Sequence, residues 1–137
     1  MVNGFVTEDQ EIILMTTDKN NGFDGESVSN THLSNLKFHY PSPNKAYDFN
    51  KESSFVKRYK SIYSVTPNKY AIRGFDLTMD ILLRLASAES LYESSTNDIE
   101  TEYLENKFRY SKQMFGGYFN ESVYIVKHDS LTIVQVE

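Results

Sequence analysis

The chain has 137 residues, of which 39% are hydrophobic and 14% aromatic, enough for one globular core with little room for a second. Nineteen acidic against fourteen basic residues give a formal net charge of -5, and because the basic residues are scattered along the sequence, nucleic acid is not expected as a partner. The absence of cysteine excludes disulfides, thiolate zinc sites and thiol catalysis.

The N-terminal residues MVNGFVTEDQ contain no basic region, no apolar run and no small-residue cleavage site, so they do not form a signal peptide. The longest strongly apolar stretch, Phe75 to Ala86, is interrupted by Asp76, Asp80 and Arg84. A bilayer core requires about 20 apolar residues in succession. We therefore predict no membrane-spanning segment.

The first half of the chain indicates two strands and a short helix. Residues Glu11–Asp18 (EIILMTTD) are apolar on both faces, which is typical of a buried strand in a parallel sheet. The stretch SVSNTHLSNL predicts one short helix. Residues Leu36–Pro41 then alternate and end at a proline, as a strand does.

Two helices are predicted in the middle of the chain. Residues Lys51–Tyr63 place their apolar side chains on one face, with Asn50 as the N-cap. Pro67 ends this helix because it biases the preceding residue away from helical geometry. The second helix, Tyr70–Ala88, has apolar positions most of the way round, so it needs cover on more than one side.

The last residues of the chain, 122–137 (SVYIVKHDSLTIVQVE), predict a β-hairpin with Asp129 and Ser130 at its tip. Strand, helix, strand, two helices and a terminal hairpin together indicate an α/β fold, with a mostly parallel sheet flanked by helices. We expect a single α/β unit over residues 1–137.

Patterns that support catalysis or metal binding are not found. His32, His39 and His128 have no spacing suited to zinc. The segment Gly25–Ser29 (GESVS) lacks the second glycine of a nucleophile elbow, so a helix-capping serine is the expected role. The paired glycines of FGGYFN show no phosphate-binding pattern. We expect no enzyme, no metal and no cofactor.

Two features favour a binding site. Asp18 stands at the end of the first predicted strand, where open α/β sheets bind ligands, and its carboxylate could receive an ammonium group. The alternative is an aspartate that opens a turn or caps the next helix. Tyr70, Arg73 and Phe75 cluster at the start of the apolar helix and could line a small-molecule cleft. The alternative is core aromatics beside a local ion pair between Arg73 and Asp76.

The segment FVKRYKSIYSVTPNKYAIRGFDLTMDILLRLA resembles the late part of the type I periplasmic binding protein family, the solute receptors of branched-chain amino acid transporters. Members show F-x-x-x-Y, then a proline, then an aromatic-and-alanine helix. IILMTTD and LKFHYPSP resemble the strand that ends at the ligand and the crossing strand after it, and FGGYFNESVYIVKHDSLTIVQVE resembles the terminal strands. The resemblance covers most of the chain, from Glu11 to Glu137.

This resemblance implies part of a periplasmic-binding-protein type I lobe that binds a small polar solute, such as an amino acid, without catalysis. Asp18 would take the ammonium-binding position and Tyr70 would line the cleft, whereas Arg73 departs from the small or apolar residues usual there. The resemblance also implies that the chain is a fragment of a larger, two-lobed receptor domain. Within the family, the chain most resembles the proteins of the Bacteroidetes type, some of which also carry peptidoglycan-binding LysM repeats. No such repeat is found in this sequence.

Two functions remain open. The first is a solute-binding receptor lobe, which Asp18 favours. The second is a scaffolding module of a peptidoglycan-associated envelope protein, which Arg73 and the tyrosine-rich composition favour. Both imply a periplasmic or other extracytoplasmic location. Because an uncovered apolar helix indicates an interface, we also predict a homodimer, or a partner lobe, contacted through the Tyr70–Ala88 helix.

Overall fold

The structure, a computed structural model, describes residues 4, 10–25, 28–45 and 53–136. The chain forms two compact units, the first made of Met1–Ala46 and Val123–Glu137 and the second of Tyr47–Ser122. The described elements, in chain order, are a 3-10 helix at Asn21–Phe23, α1 (Asn30–Asn35), β1 (His39–Ser42), α2 (Ser54–Tyr63), α3 (Lys69–Ser87), α4 (Leu91–Thr96), β2 (Thr101–Glu102), β3 (Lys107–Phe108), β4 (Tyr110–Lys112), β5 (Tyr118–Asn120), β6 (Tyr124–Asp129) and β7 (Thr132–Gln135).

The first unit is built on a three-stranded antiparallel sheet in the order β1–β6–β7. Tyr40 of β1 lies opposite Val126 of the central strand β6. Along β6, Tyr124, Val126 and His128 are buried and alternate with more exposed residues, as expected of a strand with one covered face.

The C-terminal hairpin predicted from the sequence is present as the antiparallel pair β6 and β7. Its turn residues are Ser130 and Leu131, with φ angles of 47° and 67°. Positive φ at both central residues is what a two-residue type I′ turn requires, and this turn matches the twist of the flanking strands. The tip therefore lies one residue later than the sequence predicts.

The mostly parallel sheet predicted from the sequence is wrong. Each of the described strands pairs antiparallel to its neighbour. Residues 11–18 do not form a strand: one isolated parallel bridge joins Met15 to His39, and the His39 N–H donates to the Leu14 carbonyl at 2.8 Å. Ile13 and Met15 are exposed, so this segment has only one covered face.

The core of the first unit contains Leu33, Phe38, Tyr40, Tyr124 and Val126. The buried imidazole of His128 lies in the same core, with ring centroids 5.8 Å from Phe38 and 6.0 Å from Tyr40. Its Nε2 has no hydrogen-bond partner among the described residues. Burial lowers the pKa of His128, so the neutral imidazole is the form that this core favours.

The helices of the second unit begin at side-chain caps. The Ser53 Oγ accepts the Val56 N–H at 3.2 Å at the start of α2, whereas the predicted cap Asn50 lies outside the described residues. At the start of α3, the Asn68 Oδ1 accepts the N–H groups of Tyr70 and Ala71, both at 3.0 Å. The Asn68 cap makes Lys69 the first residue of α3, one residue before the predicted start at Tyr70.

The remaining elements of the second unit are α4 and two short hairpins, β2–β3 and β4–β5. The Ser90 Oγ accepts the Glu93 N–H, and the Glu93 carboxylate accepts the Glu89 N–H, so α4 begins with reciprocal capping. None of the described helices combines the length and hydrophobicity that crossing a lipid bilayer requires.

Candidate functional site

Helix α3 turns three of its five charged residues inward. Ile72, Asp76, Asp80 and Arg84 recur every four residues and form its buried stripe. Asp76 and Asp80 are 0% exposed and Arg84 is 5% exposed. Charged side chains are almost never fully buried unless they are paired. The stripe must therefore be satisfied by the segments that follow α3.

Asp76 closes the turn between β2 and β3. Its carboxylate accepts the backbone N–H groups of Leu104, Glu105 and Asn106 at 3.1, 3.0 and 3.0 Å. The Asn106 side-chain amide donates to the same carboxylate at 2.8 Å. A carboxylate with this many N–H donors is well compensated for the loss of water. The turn is thus fastened to the middle of α3.

Asp80 is the centre of a buried hydrogen-bond network. It accepts the Arg84 Nε–H at 2.9 Å and the Thr101 hydroxyl at 2.6 Å. The hydroxyls of Tyr103 and Tyr110 donate to it at 3.2 and 3.1 Å. These donors come from three separate segments, so one carboxylate holds α3, β2 and β4 together.

Arg84 completes the network with backbone carbonyls as acceptors. Its guanidinium donates to the carbonyls of Ser94, Ile99 and Phe108 at 3.3, 3.4 and 3.2 Å. The guanidinium carbon lies 4.7 Å from the ring centroid of Tyr110, which adds a cation–π contact. A planar fork with several donors suits this role in a way that lysine does not.

The network also changes the acidity of its tyrosines. Burial, together with the charge of Asp80, raises the pKa of Tyr110 to about 12. The same two causes raise the pKa of Tyr103. Both hydroxyls therefore stay protonated at neutral pH and act as donors to the carboxylate.

Because the charged stripe faces inward, the leucines of α3 face solvent. Leu77, Leu82 and Leu85 are 42%, 55% and 49% exposed. We define the outer face of α3 as the exposed residues on the side opposite the buried stripe, Tyr70, Gly74, Leu77, Thr78, Leu82 and Leu85. This pattern inverts the usual amphipathic helix, in which the apolar side is buried.

Charge is divided between the two ends of α3. Residues 53–75 contain no acidic residue and five basic ones, Lys57, Arg58, Lys60, Lys69 and Arg73. Residues 88–106 contain no basic residue and six acidic ones, Glu89, Glu93, Asp98, Glu100, Glu102 and Glu105. The second unit is therefore basic near the start of α3 and acidic after its end.

A groove of about 530 Å³ lies between α2 and the first half of α3, lined by Phe55, Arg58, Tyr59, Ile62, Tyr63, Ala71 and Phe75. Phe55 and Phe75 stack with their ring centroids 4.2 Å apart. Ile62 and Tyr63 are exposed at its edge. The groove continues the apolar surface of α3 toward the basic end of the unit.

The ligand-binding residues predicted from the sequence belong to different units. Asp18 is exposed in the first unit, in a local turn where its N–H and carbonyl bond the Thr16 hydroxyl. Tyr70, Arg73 and Phe75 lie on α3 of the second unit, where Tyr70 and Arg73 are exposed and Phe75 is half-buried. Of these residues, only Phe75 lines the groove.

The residues that sequence reasoning missed are Asp76, Asp80 and Arg84, which interrupt the apolar stretch. Their recurrence every four residues is the signal that could have found them, because that spacing puts them on one face of a helix. The segregation of basic and acidic residues along 53–106 is a second signal.

Comparison of the chain with protein-family models, with curated proteins and with solved structures gives no match. The resemblance to type I periplasmic binding proteins therefore stays a prediction. The proposal that follows is based on the exposed apolar face and the charge distribution of the second unit.

Proposed function

We propose that this chain is a non-catalytic interaction module that associates with a second copy of itself through the outer face of α3. The observation that carries the proposal is the inverted helix: three charged residues, Asp76, Asp80 and Arg84, are buried and its leucines are exposed. Contiguous apolar surface of this kind marks an interaction site in a folded protein. The proposal extends the scaffolding role, and the extracytoplasmic location, expected from the sequence.

Gly74 supports a close approach by another helix. A glycine within a helix lowers its stability by about 1 kcal/mol relative to alanine, so a packing reason is expected for it. Within the described residues, a Cβ built at Gly74 would meet nothing within 4 Å. Packing among the described residues therefore gives no reason for glycine here, whereas the backbone of a partner helix would.

The charges favour an antiparallel arrangement of the two copies. With a two-fold axis near the middle of α3, the basic start of each helix would face the acidic end of the other. Lys69 of one copy would lie near Glu89 of the second copy. The first turn of α3 also contains no acidic residue, so Lys69 lies where the helix dipole disfavours a cation. A neighbouring carboxylate would offset that unfavourable placement.

The test measures the mass in solution of the unchanged chain and of the double variant Leu77→Lys, Leu85→Lys. Light scattering over a wide range of concentration gives both masses. We expect a dimer for the unchanged chain and a folded monomer for the double variant, because lysine would be desolvated in the interface but not on a free surface. A matched control is Val123→Lys, Ile133→Lys, which changes two similarly exposed residues of the first unit. A monomeric mass for the unchanged chain at every concentration would refute the proposal.

The solute-receptor function stays a prediction beside this one. It depends on Asp18 acting together with Tyr70, Arg73 and Phe75, which belong to two units. Binding of an amino acid that is lost in Asp18→Ala would favour the receptor function. The dimer test would be unaffected by that result, since Asp18 is not on α3.

A further inference from the structure

The second unit also has a cleft, which lies between α4 and the β4–β5 hairpin. Two adjoining hollows, of about 340 and 370 Å³, share Ser95, Tyr110 and Tyr118 among their lining residues. Each lies at the small end of the range of about 300–1,000 Å³ that is common for ligand sites. We call this the tyrosine cleft. Its residue from α3 is Ile81, which lies one helical turn from Leu77 and Leu85 and so borders the outer face.

The two hollows differ in chemistry. The first is lined by Ile81, Leu91, Tyr92, Ser95, Tyr110 and Tyr118, so its walls are aromatic and aliphatic. The second adds the polar residues Thr96, Asp98, Ser111, Lys112 and Glu121. An apolar floor beside a few convergent polar groups is the usual composition of a small-molecule site.

The charges at the polar hollow already have partners. The Arg109 Nε lies 3.1 Å from a Glu121 carboxylate oxygen and 3.8 Å from one of Asp98. The Lys112 ammonium donates to the Tyr92 hydroxyl at 3.0 Å and lies 5.1 Å from that ring centroid. The rim is therefore close to balanced, and an ion would have to displace one of these contacts. Such a rim favours an uncharged ligand.

Inside the cleft, the hydroxyl oxygen of Tyr118 is shielded from solvent and makes no hydrogen bond of regular geometry with the described residues. The nearby hydroxyl of Tyr92 interacts with it and helps to raise its pKa. Burial raises the pKa of Tyr118, so the hydroxyl is protonated at neutral pH and can donate. A ligand acceptor that bonds this shielded hydroxyl would offset part of the loss of its hydration.

Aromatic geometry further restricts the ligand. The rings of Tyr92 and Tyr118 meet edge to face, with centroids 5.7 Å apart and an interplanar angle of 85°. Ring faces and edges arranged in this way pack favourably against another flat ring. The aliphatic side chains of Ile81 and Leu91 complete the walls.

We propose that the tyrosine cleft binds a small, uncharged aromatic molecule with one polar group, of the phenol or indole type. The ring would occupy the apolar hollow, and its polar group would bond the Tyr118 hydroxyl. This inference does not rest on the proposed association through α3.

The probes for the test are indole and 4-methylphenol. Because the chain has no tryptophan, the emission of indole can be followed without interference from that residue. Methyl NMR signals of Ile81 and Leu91 would locate the probe. We expect saturable binding that shifts these signals, with about tenfold weaker binding in Tyr118→Phe, since the ring is kept and one hydrogen bond is lost.

Two further variants keep the test decisive. Leu91→Trp should fill the apolar hollow and abolish binding, since Leu91 is partly exposed and tolerates a larger side chain. Lys69→Glu, which changes the proposed assembly but no residue that lines the cleft, should bind both probes unchanged and so separates this site from the assembly. The proposal is overturned if neither probe binds saturably, if the shifted signals belong to the α2–α3 groove, or if a folded Tyr118→Phe binds as tightly as the unchanged chain.

Discussion

Asp80 and Arg84 form an ion pair inside the second unit, with 2.9 Å between the Asp80 Oδ2 and the Arg84 Nε and almost no exposure to solvent. Spacing of four residues on one helix is common for surface pairs, which contribute little to stability. Here the pair is buried, and each member also bonds other segments. Its removal should therefore affect the whole unit.

We predict that Arg84→Met lowers the free energy of unfolding by about 3–5 kcal/mol, because it leaves the Asp80 charge buried without its cation. Urea unfolding followed by far-ultraviolet circular dichroism would measure the change. The double variant Asp80→Leu, Arg84→Met should lose less than the two single variants added together, since no charge remains buried. Additive losses would contradict the role given to the pair.

His128 should make the first unit sensitive to acid. Its pKa is lowered in the folded state by burial, so the unfolded chain binds a proton first as the pH falls. The stabilisation by the neutral imidazole is present above the unfolded pKa of about 6.5 and is lost as the pH falls below it. Melting temperatures should therefore fall on acidification, and His128→Phe should reduce that fall. Parallel pH profiles for the two proteins would contradict the prediction.

Tyr110 should produce the opposite dependence at high pH. Its folded pKa is raised to about 12, so the unfolded chain loses the phenolic proton first. The stabilisation is complete below the unfolded pKa of about 10 and is lost as the pH rises toward the folded value. Absorbance of phenolate should show a late-titrating tyrosine that is missing in Tyr110→Phe. If the variant titrates like the unchanged chain, Tyr110 is not that residue.

The antiparallel arrangement predicts a rescue by charge exchange. Lys69→Glu and Glu89→Lys should each weaken self-association, by up to about tenfold, because each places like charges opposite one another. The double variant restores opposite charges and should recover most of the association. Sedimentation at low and high salt would measure it, and salt should reduce the difference between variants. Equal weakening in the double variant would exclude this register.

Local signals in the sequence are sufficient for several elements. The positions of α2, α3 and the terminal hairpin follow from apolar periodicity, from Pro67 and from the alternating residues of β6. Helix α4 is not among the predicted elements, although Ser90 followed by Glu93 is a capping-box pattern. Capping chemistry of this kind depends only on neighbouring residues, so the sequence alone contains the signal for α4.

Burial is much harder to predict than element type. The pattern of EIILMTTD predicts cover on both faces, but the segment pairs along one side of β1 and leaves Ile13 and Met15 exposed. In α3 the difference is in the opposite direction: three charged residues, which would be expected at the surface, are buried at the centre of the network. The partners of these charged residues lie up to 30 residues later in the chain. Helical periodicity can show that the three residues share a face, but it cannot identify those partners.

The contacts of α3 also imply an order of folding. Arg84 bonds carbonyls 10, 15 and 24 residues further along the chain, and Asp80 bonds hydroxyls 21, 23 and 30 residues further along. During synthesis, α3 emerges before these partners, with its charged stripe still hydrated. We expect the hairpins to condense onto α3, because the loops that join them to it are short and their closure entropy is small. Dehydration of Arg84 is therefore a late event in the formation of the unit.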